Sequence, residues 1–115
     1  MSLPESDVLR LRHMREWAEA GLSLAAGRTR QDLDADRMFR TSMERHIEVV
    51  GEAASQLSAP TRELYCDLPW REIRATRNVL AHGYQSVDRD VLWGVITEHL
   101  PPLLARVEEI LAEGE

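Results

Sequence analysis

Eight consecutive residues, RNVLAHGY at positions 77–84, combine an arginine, an amide, a histidine and a phenol. The guanidinium of Arg77 can bind two phosphate oxygens at once, and the imidazole of His82 can move protons near neutral pH. On a bound RNA, His82 could take the proton of a 2′-hydroxyl or give one to the leaving oxygen. Arg77 could stabilise the charge of the transition state, and Asn78 could orient the histidine or a phosphate oxygen.

The spacing of this motif limits how its residues can meet. Five positions along a helix rotate the chain by about 140°, so Arg77 and His82 do not share a face, whereas Arg74, Arg77 and Tyr84 do. A joint site therefore needs the helix to unwind near His82, which Gly83 would allow, or a second copy of the chain to complete it. The alternative interpretation is a helix end whose histidine meets the negative end of the dipole.

Charge restricts any contact with nucleic acid to the neighbourhood of the motif. The formal net charge is −6, but residues 70–84 carry a local +2, which leaves −8 for the rest of the chain. A general nucleic-acid binder should instead be broadly positive. Arg74, on the face of Arg77, is the further candidate for contact with the substrate.

The sequence predicts no metal, cofactor or disulfide. Residues 32–36 alternate aspartates, but the glycine and glutamate of a calcium loop are missing, so we interpret these acids as helix caps. No paired carboxylates or cysteines have metal-ligand spacing. Cys66 is the one cysteine, which indicates a reducing compartment. The N-terminus lacks a signal peptide and no stretch has the length of a membrane span, so we expect a cytoplasmic protein.

The elements that would position the motif are helices. Apolar residues recur at helical spacing in the first segment, which should end near Gly27. A long helix is predicted from about Ala35 to Leu57, and Gly51 within it suggests close approach by a neighbouring helix. Three further elements are predicted: a short helical turn from Pro60 to Cys66, the motif helix from Pro69 to near Gly83, and a final helix from about Asp90 to Ala112. Ser86 or Asp88 should cap the start of the final helix. Pro101 and Pro102 should make that helix kink or break near Thr97 to Leu100. We therefore expect one all-α domain, residues 1–115, built as a four- to five-helix up-and-down bundle.

An ordered set of segments resembles one known family. RNVLAHGY resembles the Arg-x4-His-x-Tyr motif of HepT-like toxins in the HEPN (higher eukaryote and prokaryote nucleotide-binding) superfamily. IEVVGEAASQLS at 47–58 is similar to the family's I-G-E-A segment, and LPW at 68–70 resembles the Pro-Trp before the motif helix. SVDRDVLWGVITEHLPPLLARVEEI at 86–110 resembles the family's tail.

The resemblance implies a two-fold dimer with the motif helices at its interface and a metal-independent ribonuclease site between them. Arg77 and His82 would be the catalytic pair and Asn78 the polar residue that follows the arginine. The implied role is the toxin of a type VII toxin–antitoxin system. Its partner would be a minimal nucleotidyltransferase antitoxin that transfers AMP to Tyr84, which would repel RNA from the site.

Two other functions stay open. The chain could be a non-catalytic helical subunit that recruits or regulates a nucleotidyltransferase, which its acidic surface favours. It could also be a structural helical dimer whose motif only ends a helix. Cleavage of RNA by the isolated protein would distinguish the ribonuclease toxin from both of these alternatives.

Overall fold

The computed structural model describes residues 2–82 and 88–114, with side chains for 2–81 and 88–113. These residues form helices and no strand, which confirms the all-α prediction. The helices are α1 (Glu5–Ala25), α2 (Asp32–Ala35), α3 (Arg37–Ser55), α4 (Ala59–Leu64), α5 (Trp70–His82), α6 (Arg89–Gly94) and α7 (Leu100–Gly114), with a π-helical turn at Val95–His99 between the last two.

Local sequence signals account for several helix ends. Gly27, two residues beyond α1, has a φ of +76°, the left-handed backbone that glycine adopts without strain. The long helix begins at Arg37 rather than Ala35, because Asp36 is extended and its carboxylate accepts the Phe39 N–H at 3.1 Å. Asp88 likewise caps α6 by accepting the N–H groups of Asp90 and Val91. The capping interpretation of Asp36 and the predicted Asp88 cap are therefore confirmed.

The two prolines of the last helix widen it rather than break it. Pro101 and Pro102 have no N–H for the carbonyls of the preceding turn, and the residues before them form a π turn, in which Leu100 donates to the carbonyl of Val95. A π turn is a recognised place for an α-helix to absorb such a mismatch. The predicted interruption near Thr97 to Leu100 is therefore this turn, and helix continues on both sides of it.

Helix α3 is central to the packing. It lies against both α1 and α5, while α1 also packs against α7. The helical stripes meet in two buried clusters, one between α1, α3 and α7 and one around the first half of α3. Their fully buried members include Leu11, Met14, Leu33, Met43, Ile96, Val107, Ile110 and Leu111.

Helix α5 packs mainly against α3, so a cleft separates it from the last helices. The cleft has a volume of about 550 Å³ and is lined largely by apolar side chains. A smaller cavity of about 190 Å³ shares Thr76, Val91 and Val95 with it. Beside them, Val79 and Val91 are 57% and 60% exposed. The motif helix thus has one half-buried face against α3 and one open apolar side.

Candidate active site

Arg77 lies at the contact between α3 and α5, opposite Gly51. A Cβ atom on Gly51 would lie 2.5 Å from the Cβ of Arg77 and 3.4 Å from the carbonyl oxygen of Ile73. Real side chains do not approach so closely, so glycine is required for this spacing. The close approach that Gly51 suggested is confirmed, and it occurs at the motif arginine.

Two neighbours hold the guanidinium of Arg77. Its Nε donates to Oε2 of Glu52 at 2.7 Å, and its NH2 pairs with the same oxygen. Its NH1 donates to Oδ1 of Asn78 at 2.7 Å. A guanidinium has five N–H donors. The two neighbours leave donors on NH1 and NH2 for an anion.

Asn78 contacts the arginine and not another polar partner in the described residues. Its amide oxygen is bonded to Arg77, and its contact with the histidine or with a phosphate oxygen stays a prediction. The amide nitrogen of Asn78 remains available as a donor. Asn78 therefore belongs to the same constellation as Arg77, and it helps to fix the arginine.

Glu52 is the site residue that the sequence reasoning missed. It stands 25 positions before Arg77, and its spacing in the sequence permits ion pairs only with neighbours on its own helix. In the structure its Oε1 accepts the Gln56 amide at 2.9 Å, and its Oε2 binds Arg77 on the neighbouring helix. Two hydrogen bonds hold the pKa of Glu52 below its ordinary value: the one from Gln56 has the larger effect, and the one from Arg77 the smaller. The G-E pair in IEVVGEAASQLS was the signal that could have identified it.

His82 is the last residue of α5, so the backbone stays helical up to it. Because the helix is continuous from Arg77 to His82, the two positions are about 140° apart around its axis. A site within one chain needs the helix to unwind near His82, and it does not unwind before that residue. The His82 side chain, Gly83, Tyr84 and Ser86 lie outside the described residues. The structure therefore brings Arg77 together with Asn78 and Glu52, and the pairing of Arg77 with His82 stays a prediction.

Arg74 and Arg71 are both exposed on α5. Within the described part of the chain, neither makes an ion pair, whereas Arg77 does. Their charges are therefore not neutralised locally. The position of Arg74 is compatible with the predicted substrate contact.

Outside the motif, one histidine has a packing role, and the described residues contain no group of metal ligands. His46 packs its ring against Trp17, with centroids 5.1 Å apart, and its Nδ1 lies 2.7 Å from the carbonyl oxygen of Ser42, so it is a packed histidine. Over residues 2–82 and 88–114, no three His, Cys, Asp or Glu side chains are grouped to hold a metal. None of the helices in those ranges is long and apolar enough to span a membrane.

Comparisons with known proteins agree on one family. The family model described as ribonuclease HepT-like matches residues 12–110. A protein of Caldanaerobacter subterraneus subsp. tengcongensis that is named as a candidate RNase is 31% identical over 101 residues, which cover 88% of this chain and 90% of the relative. The "Probable ribonuclease HepT" of Thermococcus cleftensis is 31% identical over 80 residues, 70% of this chain and 73% of the relative.

No solved structure matches the chain significantly. The family model nevertheless spans nearly the whole sequence, from within α1 to within α7, and includes both Glu52 and Arg77. On this evidence the chain belongs to the HepT-like ribonuclease family.

Proposed function

We propose that this protein is a metal-independent endoribonuclease and the toxin of a toxin–antitoxin pair. The observation that carries the proposal is the restrained Arg77 guanidinium, which keeps donors on NH1 and NH2 while Glu52 and Asn78 bind its other N–H groups. A fixed cation of this kind stabilises the charge that develops on a phosphate during its cleavage. The names of the relatives, as candidate or probable ribonucleases, support the same activity.

The proposed reaction is an internal transfer on RNA. The 2′-oxygen attacks the neighbouring phosphorus, the bond from phosphorus to the 5′-oxygen breaks, and the products are a 2′,3′-cyclic phosphate and a 5′-hydroxyl. His82 takes the proton of the 2′-hydroxyl or supplies the one that the leaving oxygen needs. Arg77 binds the non-bridging oxygens, Asn78 fixes Arg77, and Arg74 contacts the RNA backbone.

The proposed active form is a two-fold dimer in which α5 meets its counterpart. Because α5 is helical up to His82, the 140° separation favours a site completed by a second copy over one within a single chain. Val79 supports this, since it is exposed and lies three residues before His82 on a neighbouring part of the helix surface. An isologous contact over Val79 and the adjacent cleft would bury apolar surface and bring two motifs together.

The proposed control is AMP transfer to Tyr84 by a minimal nucleotidyltransferase antitoxin. Tyr84 follows His82 by two residues, so a phosphate attached to its phenol would stand beside the RNA site and repel the substrate. Mass spectrometry of the toxin, with and without the partner and ATP, tests this step. Adenylyl groups on Tyr84 with loss of cleavage would support it, and full cleavage by the modified protein would exclude it.

The activity itself is tested with the isolated protein in EDTA. We expect cleavage of RNA with 2′,3′-cyclic phosphate ends, and loss of both cleavage and growth arrest in Arg77→Ala and His82→Ala. Arg37→Ala, an exposed arginine at the start of α3, is the matched control and should cleave normally. Full activity in either site variant would exclude the mechanism.

The alternative is a non-catalytic subunit that recruits or regulates a nucleotidyltransferase. The charge of −8 outside residues 70–84 favours it, because such a surface repels RNA. It predicts copurification with that partner and no cleavage of any RNA by the unmodified protein. The same EDTA experiment therefore separates the two functions.

A further inference from the structure

We propose that Glu52 is a positioning residue for the ribonuclease reaction, which it serves by holding Arg77 with its NH1 and NH2 donors directed to the phosphate. This inference rests on the proposed function. Glu52 lies on a different helix from the motif, and its contact with Arg77 joins α3 to α5. It would touch neither the substrate nor the reacting atoms.

Two sequence neighbours of Glu52 favour its contact with Arg77: Gly51, which lets α5 approach, and Gln56, which binds the other carboxylate oxygen. Gly51, the residue before Glu52, allows the α5 backbone to come so close that a Cβ at Gly51 would lie 2.5 Å from that of Arg77. Because the Cβ of Arg77 lies beside Gly51, the carboxylate of Glu52 can reach the Nε side of the guanidinium. On its other oxygen, Glu52 accepts the amide of Gln56 at 2.9 Å. The hydrogen bond from Gln56 thus restrains the carboxylate that binds Arg77.

The pattern of donors indicates the orientation that Glu52 imposes. Its Oε2 takes the Nε–H and lies against NH2, while Asn78 takes one N–H of NH1. The donors left over belong to NH1 and NH2, which form the end of the guanidinium that matches two phosphate oxygens. Without Glu52, the Nε edge would compete for the phosphate and the side chain would sample other rotamers.

Stability alone gives a weak reason for this ion pair. Arg77 and Glu52 side chains are 25% and 46% exposed, and ion pairs that exposed contribute little to the free energy of unfolding. The carboxylate also reduces the attraction of Arg77 for RNA, which works against ground-state binding. A group that weakens binding but fixes geometry acts on the transition state, and orientation of this kind contributes through kcat.

Steady-state cleavage by Glu52→Gln tests the inference. The substitution keeps the size of the side chain and removes its charge, so we expect kcat to fall about tenfold while KM is unchanged or lower. Glu48→Gln is the matched control, because Glu48 lies one turn earlier on α3 and pairs with Arg45 on the same helix. It should leave both constants as in the wild type.

A double-mutant cycle separates positioning from general damage to the fold. If Glu52 acts through Arg77, Glu52→Gln should have little further effect on kcat in an Arg77→Lys background. The Nε–H resonance of Arg77, followed by NMR, should be protected from exchange in the wild type and lose that protection in Glu52→Gln. This readout does not depend on activity.

The possible failures are distinguishable. Absence of cleavage by the wild-type protein would overturn the proposed function and the catalytic role of Glu52 with it. Full kcat in Glu52→Gln, with an active wild type, would overturn the positioning role alone. Equal losses in the Arg77→Lys and wild-type backgrounds, or an Arg77 resonance that Glu52→Gln does not change, would do the same.

Discussion

Gly51 and Arg77 stand so close across the α3–α5 contact that a Cβ on the glycine would lie 2.5 Å from the Cβ of the arginine. Both atoms are near the backbone, so a flexible side chain cannot relieve the clash. Gly51→Ala should therefore push α5 away from α3 and destabilise the fold by about 1–3 kcal/mol, although alanine is the better helix former. Thermal or urea unfolding measures the change, and RNA cleavage should fall with it.

Gly21→Ala is the control for that substitution. Gly21 is also buried within a helix, but a Cβ there would meet its nearest neighbour, the Cβ of His46, at 3.4 Å. The alanine should therefore leave stability unchanged within about 1 kcal/mol. Equal effects at the two glycines would mean that the Arg77 contact has no special steric requirement.

Val79 tests the proposed dimer surface. Its side chain is 57% exposed on α5, so Val79→Asp should leave the fold of one chain intact. A carboxylate placed in an apolar contact between two copies is costly, and we expect a monomer that does not cleave RNA. Light scattering gives the mass. Met38→Asp, at a position that is 82% exposed on α3, should remain dimeric, and a dimeric, active Val79→Asp would refute this surface.

Mixed dimers test whether two chains share a site. Arg77→Ala and His82→Ala can be coexpressed with different tags and the heterodimer purified. If each site takes Arg77 from one copy and His82 from the other, one of the two sites is intact and about half of the wild-type activity should return. If each chain forms its own site, both sites of the heterodimer are defective and it should be inactive.

Arg74 should contribute to RNA binding mainly by its charge. Arg74→Ala is expected to weaken binding of a non-cleavable RNA and to reduce the slope of log K against log salt by about 1. Filter binding over a salt series measures both. Arg37→Ala removes the same charge from the start of α3 and should leave the slope unchanged, so identical effects of the two variants would assign Arg74 to the general field of the protein.

Asp7 predicts a specific dependence of stability on pH. Its buried carboxylate accepts the Ser58 N–H at 3.0 Å and the Thr61 hydroxyl at 2.6 Å. Burial opposes its ionisation, but the hydrogen bonds from Ser58 and Thr61 outweigh burial and lower the pKa of Asp7. The stability from this group is therefore complete above its ordinary pKa of about 4 and is lost as the pH falls through the lower folded value.

Asp7→Asn should accordingly destabilise the fold by about 2 kcal/mol at neutral pH and flatten the loss of stability at acid pH. Urea unfolding between neutral pH and the acid range measures both effects. Glu19→Gln, on the exposed side of the same helix, is the control for loss of a charge. An Asp7→Asn curve parallel to that of the wild type would show that Asp7 does not titrate as expected.

Local patterns in the sequence were sufficient for most of the helices. Apolar spacing, the glycine at position 27, the Asp36 and Asp88 caps and the pair of prolines each act within a turn or two of the chain, so their effects can be inferred from neighbouring residues. The same is true of the motif, whose residue types and order stand within eight positions. Pro101 and Pro102 also indicated where the last helix is disturbed, although not the form of the disturbance.

Only the tertiary structure decided what Arg77 touches. Sequence spacing can offer Glu52 only ion pairs along α3, because neighbours at three or four positions are the ones that a pattern can reveal. The relative rotation and separation of α3 and α5 depend on packing over many residues, and these turn Glu52 toward a guanidinium 25 positions away. The sequence by itself thus determined that Gly51 admits a neighbour, and the fold determined that this neighbour is Arg77.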